Sequence, residues 1–542
     1  MPSTPTTKSQ VQAYKFVLRR MQSALVRRDA VMLHDPMRTH SRATVVGVIL
    51  GVLGAVVFVL VALLSPAPSL PATDNIVIGQ ESGTVYVVSG NPEKLTPTFN
   101  LASARLILMA QKKAASQGQG QGQPGQPAAA TDLKVPTVVS DEQLKNIPRT
   151  KLTGIPDGPQ LLPDAQQRIS PNWAVCDQVE LDPQLPQPDS VNKTDTTVVA
   201  GVANVGAELQ QGQALLGSAD DGKTYLIYRL SASQARPDAN TVRAEVSMDP
   251  SDPAHSALQL PSHARKVSQA FLNAIPNVEK LAAPEIPGTG SSPSADFDGL
   301  TVGDVFSTTP AGQEAEFWLI TQNGIQKVNP AVADIIRAAR NHGDSGTTKS
   351  LGLDKTKITK QLQPTDDGYI KVDNFPAKVP TVLDATQGSP VACLGWSLSA
   401  DKTNAHTSVY MGSNLPVDKN ADGSSKVLPV SATGPNGLPI TGFYMTPGYG
   451  AVVQSATESP ATFGKGPIQL ISDRGIRYGV PDAATADGLG LTDRLPAPES
   501  IIGLLPTGSS LNTQNVLKQF DSVPIDPNAG AFPTPSAPPA GN

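Results

Sequence analysis

Residues 43–64 read "ATVVGVILGVLGAVVFVLVALL" and carry no charged side chain. As a helix rising about 1.5 Å per residue, this run is roughly 33 Å long and matches the hydrocarbon core of a bilayer. It therefore predicts a membrane-spanning helix over 43–64. The competing reading is a cleaved signal peptide, which carries a much shorter charged leader and an apolar core of roughly 7–15 residues. With 42 residues in front of the run, an uncleaved anchor is expected.

The flanks orient it. Before residue 43 the chain carries Lys8, Lys15, Arg19, Arg20, Arg27, Arg28, Arg38 and Arg42 against only Asp29 and Asp35. By the positive-inside rule residues 1–42 are expected on the cytoplasmic side and everything from Ser65 onward outside the cytoplasm. The formal net charge of the whole chain is -5, which argues against a general polyanion binder. The basic arm comes with no base-reading module, so no nucleic-acid partner is expected.

Within that arm, Val11, Tyr14, Leu18, Met21 and Leu25 recur at 3-4-3-4 spacing. This predicts an amphipathic helix with one apolar face, suited to packing against another helix. Arg19, Arg20, Arg27 and Arg28 surround that face, so these nine residues are the candidate partner-docking set. Anionic headgroups would attract the same bases; alternatively they are a solvated face that only enforces topology. His34 and Pro36, in "LHDP", mark the end of the helix.

The outer part is rich in helix breakers: the chain has 50 prolines and 46 glycines, with 16% charged residues. Short strands and turns are expected there. "LITQNGIQKVNP" (319–330) and "LISDRGIRYGVP" (470–481) share L-I-x3-G-I-x4-P, the pattern of strand, glycine turn, strand and a proline opening a helix. "GTVYVVSG" at 83 and "GKTYLIYR" at 222 have the same strand-like opening. A second signature, S-x3-L-x2-I-P, begins at Ser140 and Ser268, and Pro498–Leu511 keeps part of it. The expected fold class is α+β: a single-pass protein whose outer part has four degenerate strand/helix repeats around a mixed central domain. The expected boundaries are a first repeat at 65–156 with a flexible insert at 116–130, and central segments at 157–221 and 376–463. The second repeat is placed at 222–288, a linker with the third at 289–375, the fourth at 464–512, and a C-terminal segment with a disordered proline-rich tail at 513–542.

Cys176 and Cys393 fall one in each central segment. Outside the cytoplasm a disulfide is the default for such a pair, joining the two segments into one domain; the alternative is two buried free thiols.

Catalytic signals are sparse. "GSADDGKT" (217–224) satisfies G-x4-G-K-[ST], making Gly217, Gly222, Lys223 and Thr224 a candidate nucleotide site. A phosphate-binding loop must lead into a helix, whereas "YLIYRL" follows, which is strand-like. Asp220 and Asp221 would also place negative charge beside a triphosphate. A turn before a strand is the expected reading, and no cofactor is expected. The six histidines, at 34, 40, 255, 263, 342 and 406, lack metal-ligand spacing, so no metal centre is expected. No G-x-S-x-G elbow occurs; a serine triad, whose members need not be adjacent in sequence, stays open.

Several longer segments together resemble the EccB family of the type VII (ESX) secretion systems of mycobacteria and related actinobacteria. They are Q-V-x-x-Y-K-F-V-L-R-R (10–20), "RRDAVMLHDPMR" (27–38), "LTPTFNLASARLIL" (95–108), "TGIPDGP" (153–159), "NWAVCD" (172–177), "FLNAIP" (271–276) and "RYGVP" (477–481). The resemblance implies a structural subunit of the inner-membrane secretion complex. It implies a cytoplasmic N-terminus, one span, and a periplasmic part of four repeats around a central domain bonded through Cys176 and Cys393. The partners it implies are the EccC, EccD and EccE subunits and the mycosin protease, with self-association as dimers in a hexameric assembly. Family members are sometimes labelled ATPases. The other function classes kept in view are an ATP hydrolase acting through Lys223 and Thr224, and a peptidoglycan-binding anchor.

Overall fold

The computed structural model describes residues 7–27, 36–64, 73–118, 135–191, 193–231, 234, 240–341 and 347–524. Arg28, His34, most of the expected insert and the expected proline-rich tail from 525 lie outside the described residues. The chain divides into two compact units, Met1–Leu70 and Pro71–Asn542.

Among the described residues the first unit holds two helices, α1 (Lys8–Arg27) and α2 (Pro36–Leu64). Pro36 does not merely end the basic segment. It occupies the first position of α2, where its missing N–H costs nothing and its fixed φ suits a helix start. The helix containing the apolar run thus begins seven residues before the uncharged stretch.

Among the described residues the second unit contains five sheets, and four of them share one succession of elements. Three antiparallel strands come first, then a helix. A short strand then lies parallel to the first strand, a short helix follows, and the chain closes by pairing parallel to the third strand. In the first sheet the strands are Asn75–Gly79, Val85–Ser89 and Lys94–Thr98. Helix α3 (Leu101–Gly118), the parallel strand Thr137–Val139, α4 (Asp141–Leu144) and the closing strand Leu152–Thr153 follow. The second sheet uses Gln213–Ser218, Thr224–Arg229 and Thr241–Val246. Helix α5 (Pro253–Ala257), Arg265–Lys266, α6 (Gln269–Ala274) and Asn277–Val278 complete it. The third sheet uses Val305–Thr308, Glu316–Thr321 and Gly324–Val328. Helix α7 (Pro330–Arg340), Lys349–Ser350, α8 (Asp354–Ile358) and an Ile325–Gln361 bridge follow. The fourth uses Gly450–Ala456, Ile468–Ser472 and Arg477–Val480. Helix α9 (Ala483–Leu489), Leu495–Pro498, α10 (Glu499–Ile502) and an Arg477–Thr507 bridge complete it.

Several expected boundaries move. Gln213–Ser218 falls inside the expected central segment 157–221, yet it pairs with Thr224–Arg229 and Arg265–Lys266 and so opens the second sheet. Gly450–Ala456 likewise leaves the expected segment 376–463 for the fourth sheet. The openings at 222 and 464 precede or form the second strand of a unit; the first strand lies upstream in both. In the expected C-terminal segment, Gln519–Phe520 returns to pair with Leu152–Thr153 of the first sheet.

The fifth, central sheet has seven strands drawn from both sides of the second and third sheets. Its order is Leu428–Pro429, Gly442–Tyr444, Thr194–Ala200, Asn172–Val179, Val391–Leu398, Ala405–Gly412 and Ala207–Glu208. Strand alternation sends Trp173 and Val175 to one face and Ala174 and Cys176 to the other. On the first face, Trp173, Val175, Leu394 and Trp396 bury against Phe271 and Leu272 of α6 and Ile501 and Ile502 of α10. Each such fully buried side chain contributes about 1.5–3 kcal/mol by transfer. The outer sheets also join in pairs. The first and fourth share one core, with α3 on α9. The second and third share another, with α5 on α7.

Candidate functional site

Three places concentrate chemistry: the membrane segment, the polar junction beneath α6, and the G-x4-G-K-T turn.

The most apolar stretch of α2, Arg42–Val61, has a mean hydropathy of 2.9 and spans about 30 Å. It is long and apolar enough to cross a bilayer. In α1 the five stripe residues Val11, Tyr14, Leu18, Met21 and Leu25 are between 42% and 81% exposed. Arg19, Arg20 and Arg27 lie on the same helix; Arg28 is outside the described residues.

Cys176 and Cys393 sit directly opposite one another in neighbouring central strands, with Cα atoms 3.9 Å apart, and form a disulfide. Both are fully buried. The bond joins residues 217 apart in sequence and fastens the two halves of the central sheet together.

Asp177, the next residue, points to the opposite face and has no solvent exposure. Its carboxylate accepts the Ser268 backbone amide at 2.6 Å, the Ser268 hydroxyl at 2.8 Å and the Thr196 hydroxyl at 2.8 Å. Ser268 is the N-cap of α6, its hydroxyl accepting from the Phe271 amide at 3.0 Å. The serine that starts the S-x3-L-x2-I-P signature is therefore a helix cap, and at Ser268 it is itself held by a buried acid. Burial pushes the Asp177 carboxyl above its usual range, opposed by these three hydrogen bonds and by the charge of Arg265. Arg265 is buried too and donates to the carbonyls of Ser389 and Pro390, and burial pulls its guanidinium down to about 10. This junction joins the central sheet to the second sheet. Asp177, Thr196 and Arg265 are buried in it and Ser268 is half-buried.

The segment 217–224 is a β-hairpin. Ser218 pairs with Thr224, the Ala219 amide donates to the Lys223 carbonyl, and Gly222 takes φ +77°, which suits glycine. Strand Thr224–Arg229 follows, so the helix that a phosphate loop requires is absent. Lys223 bonds Glu245 at 2.8 Å, an interaction that raises its pKa. Asp221 accepts the Lys223 amide and the Tyr225 hydroxyl, contacts that hold its carboxyl below the usual range despite slight desolvation. Gly217 packs its backbone against Val267; a Cβ there would lie 2.7 Å from that side chain. These four residues lie in a β-hairpin, the turn before a strand that the sequence led one to expect, and their polar groups serve the hairpin and the neighbouring strand.

His263 pairs with Asp189 and His406 with Glu208, each at 3.0 Å. Among the described residues no group of three or more His, Cys, Asp or Glu side chains is placed to hold a metal ion. Two half-buried arginines went unnoticed in the sequence. Arg105 of α3 donates to the carbonyl of Leu489, the last residue of α9, and Arg168 donates to that of Gly490 just beyond. Cations at a helix C-terminus are favourable, but nothing local in the sequence signals this pairing.

A helix able to cross a membrane, followed in the chain by a disulfide-bonded array of sheets that share one plan, defines a membrane-anchored protein with a large folded part. The chain belongs to the EccB family of type VII secretion systems. The family model described as "Type VII secretion system ESX-1, transport TM domain B" matches residues 3–525. The chain is 28% identical over 544 residues to the ESX-1 secretion system ATPase EccB1 of Mycobacterium tuberculosis, covering 97% of this chain and 98% of that protein. It is 29% identical over 536 residues to the ESX-3 secretion system ATPase EccB3 of Mycolicibacterium smegmatis, covering 96% and 92%. Among solved structures, a chain of an intact ESX-5 inner membrane complex superposes with a TM-score of 0.64 at 24% identity, covering 98% of this chain and 99% of that one. The EccB3 dimer from the ESX-3 core complex gives 0.62 at 24% identity, covering 82% and 100%. At these identities the structural likeness concerns the fold.

Proposed function

We propose that this chain is a structural core subunit of a type VII secretion inner-membrane complex. Helix α2 crosses the inner membrane with the N-terminus cytoplasmic, and the sheet array stands in the periplasm. There the four sheets of common plan act as repeats of one unit, clamped by the disulfide-bonded central sheet. The chain self-associates as dimers within a larger, hexameric assembly and joins EccC, EccD and EccE family subunits, with the mycosin protease associated. Val11, Tyr14, Leu18, Arg19, Arg20, Met21, Leu25, Arg27 and Arg28 supply the cytoplasmic docking helix. The observation that carries this reading is the family match along almost the whole chain.

The test is purification of the native complex in detergent with its subunits identified. Deleting residues 10–36 should leave a membrane-inserted chain that no longer recovers the other subunits. Normal incorporation and secretion by that deletion would remove the docking role.

The curated relatives carry "ATPase" in their names. For this chain the hairpin at 217–224 supports a scaffold without ATP turnover. Hydrolysis by purified protein that is abolished by Lys223→Ala would reverse that inference.

A further inference from the structure

We propose that α1 is an interfacial helix whose apolar stripe and one flanking row of cations bind the anionic phospholipid surface of the membrane that α2 crosses. The proposal rests on the reading that α2 spans a membrane, and it names the occupant of the stripe.

Helix α1 contains no Asp or Glu, and carries Lys8, Lys15, Arg19, Arg20 and Arg27. At about 100° per residue, Val11, Tyr14, Leu18, Met21 and Leu25 fall within an arc of about 80°. Lys8, Lys15 and Arg19 line up on one flank of that arc, about 40–80° beyond Val11, while Arg20 and Arg27 fall on the far side. An apolar stripe edged by long cationic side chains suits a helix lying at a headgroup boundary: the stripe enters the acyl region and the cations reach back to phosphates. A protein helix seated on the same stripe would need an acidic row to meet Lys8, Lys15 and Arg19.

Tether length supplies the second argument. Only residues 28–35 separate α1 from α2. Eight residues reach at most about 29 Å, so α1 cannot leave the neighbourhood of the bilayer. Its effective concentration at that surface is high whichever path the linker takes. Within the docking helix proposed above, this gives Val11, Tyr14, Leu18, Met21, Leu25 and Arg19 to the membrane and narrows the partner-facing side to that carrying Arg20 and Arg27.

The full-length chain tests this. Cys176 and Cys393 are bonded to each other, so Met21→Cys supplies the sole thiol for an environment-sensitive dye. The protein is reconstituted into vesicles of phosphatidylcholine alone or mixed with phosphatidylglycerol. The expected result is a blue-shifted dye, quenched by nitroxide-labelled lipid, in the anionic vesicles, with a return toward water in neutral vesicles or high salt. Each cation near the surface is worth about fivefold in binding. The triple variant Lys8→Gln/Lys15→Gln/Arg19→Gln should therefore reduce insertion on the order of a hundredfold at low salt. Arg20→Gln/Arg27→Gln should retain it. A dye in water in both vesicles, equal insertion in both, or an unaffected triple variant would overturn the proposal. So would burial of the dye only when the other secretion subunits are added. Subunit recovery is a separate readout: a chain that inserts α1 yet recovers no partner defeats the complex reading alone.

Discussion

The carboxylate of Asp177 holds both the backbone amide and the hydroxyl of Ser268, a residue 91 positions further along the chain. That one side chain fixes the start of α6, and through Phe271 and Leu272 it fixes how the second sheet sits on the central sheet. Cys176 beside it faces the other way and closes the opposite side. Adjacent residues of one strand therefore carry the covalent bond within the central sheet and the polar joint to the second sheet.

Removing the acid leaves the Ser268 amide and hydroxyl and the Thr196 hydroxyl without their acceptor. Asp177→Ala should destabilise the folded part by about 3–5 kcal/mol, and Asp177→Asn by about 1–3 kcal/mol. Urea unfolding of the purified protein measures both. The sign with pH is also determined. Burial raises the Asp177 pKa, so its contribution is fully present below the unfolded pKa and is lost as pH rises through the folded one. The stability advantage of the native chain over Asp177→Asn should therefore shrink as pH increases through that window. An advantage that grows instead would show that the carboxylate is ionised and stabilised in place.

The disulfide closes a long loop and is fully buried. Replacing both cysteines by alanine should cost up to about 5 kcal/mol, because the unfolded chain regains the entropy of that loop. Thiol labelling under reductant should show the folded protein resisting reduction and the urea-unfolded protein losing the bond. Rapid reduction of the folded form would mean that the central sheet opens locally.

The G-K-T turn gives a prediction that separates packing from nucleotide chemistry. Gly217→Ala forces a methyl against Val267 and should cost about 1–3 kcal/mol through overpacking. Lys223→Ala removes only an exposed pair with Glu245, so the unfolding midpoint should hardly move. Thermal scans with and without ATP and magnesium check both. A midpoint raised by nucleotide in the parent and not in Lys223→Ala would contradict the hairpin reading.

Features written locally were legible. Leu319–Pro330 spells its own hairpin and helix start: Gly324 begins the returning strand and Pro330 opens α7. The pairing of Cys176 with Cys393 was legible because the chain has only two cysteines. The strands Gln213–Ser218, Val305–Thr308 and Gly450–Ala456 were missed because each is identified by the strands beside it, some more than forty residues away, rather than by its own turn chemistry. Asp177 reads as an ordinary polar residue in "NWAVCD" until its partner from another sheet is seen. The same is true of the two arginines at the end of α9.

Arg105 is the sharper of those two. It lies in α3 of the first sheet, and its guanidinium meets the Leu489 carbonyl at 2.6 Å across 384 residues of sequence. Partial burial lowers its pKa. Arg105→Met keeps much of the apolar stem and removes the donor, which should cost about 1–3 kcal/mol. The loss should concentrate where the first and fourth sheets meet. Hydrogen exchange is the measurement: amides of α9 should exchange faster in the variant, while those of α7, packed in the other core, should stay as protected as in the parent. Equal acceleration in both helices would mean that the two sheet pairs unfold as one cooperative block rather than as separable halves.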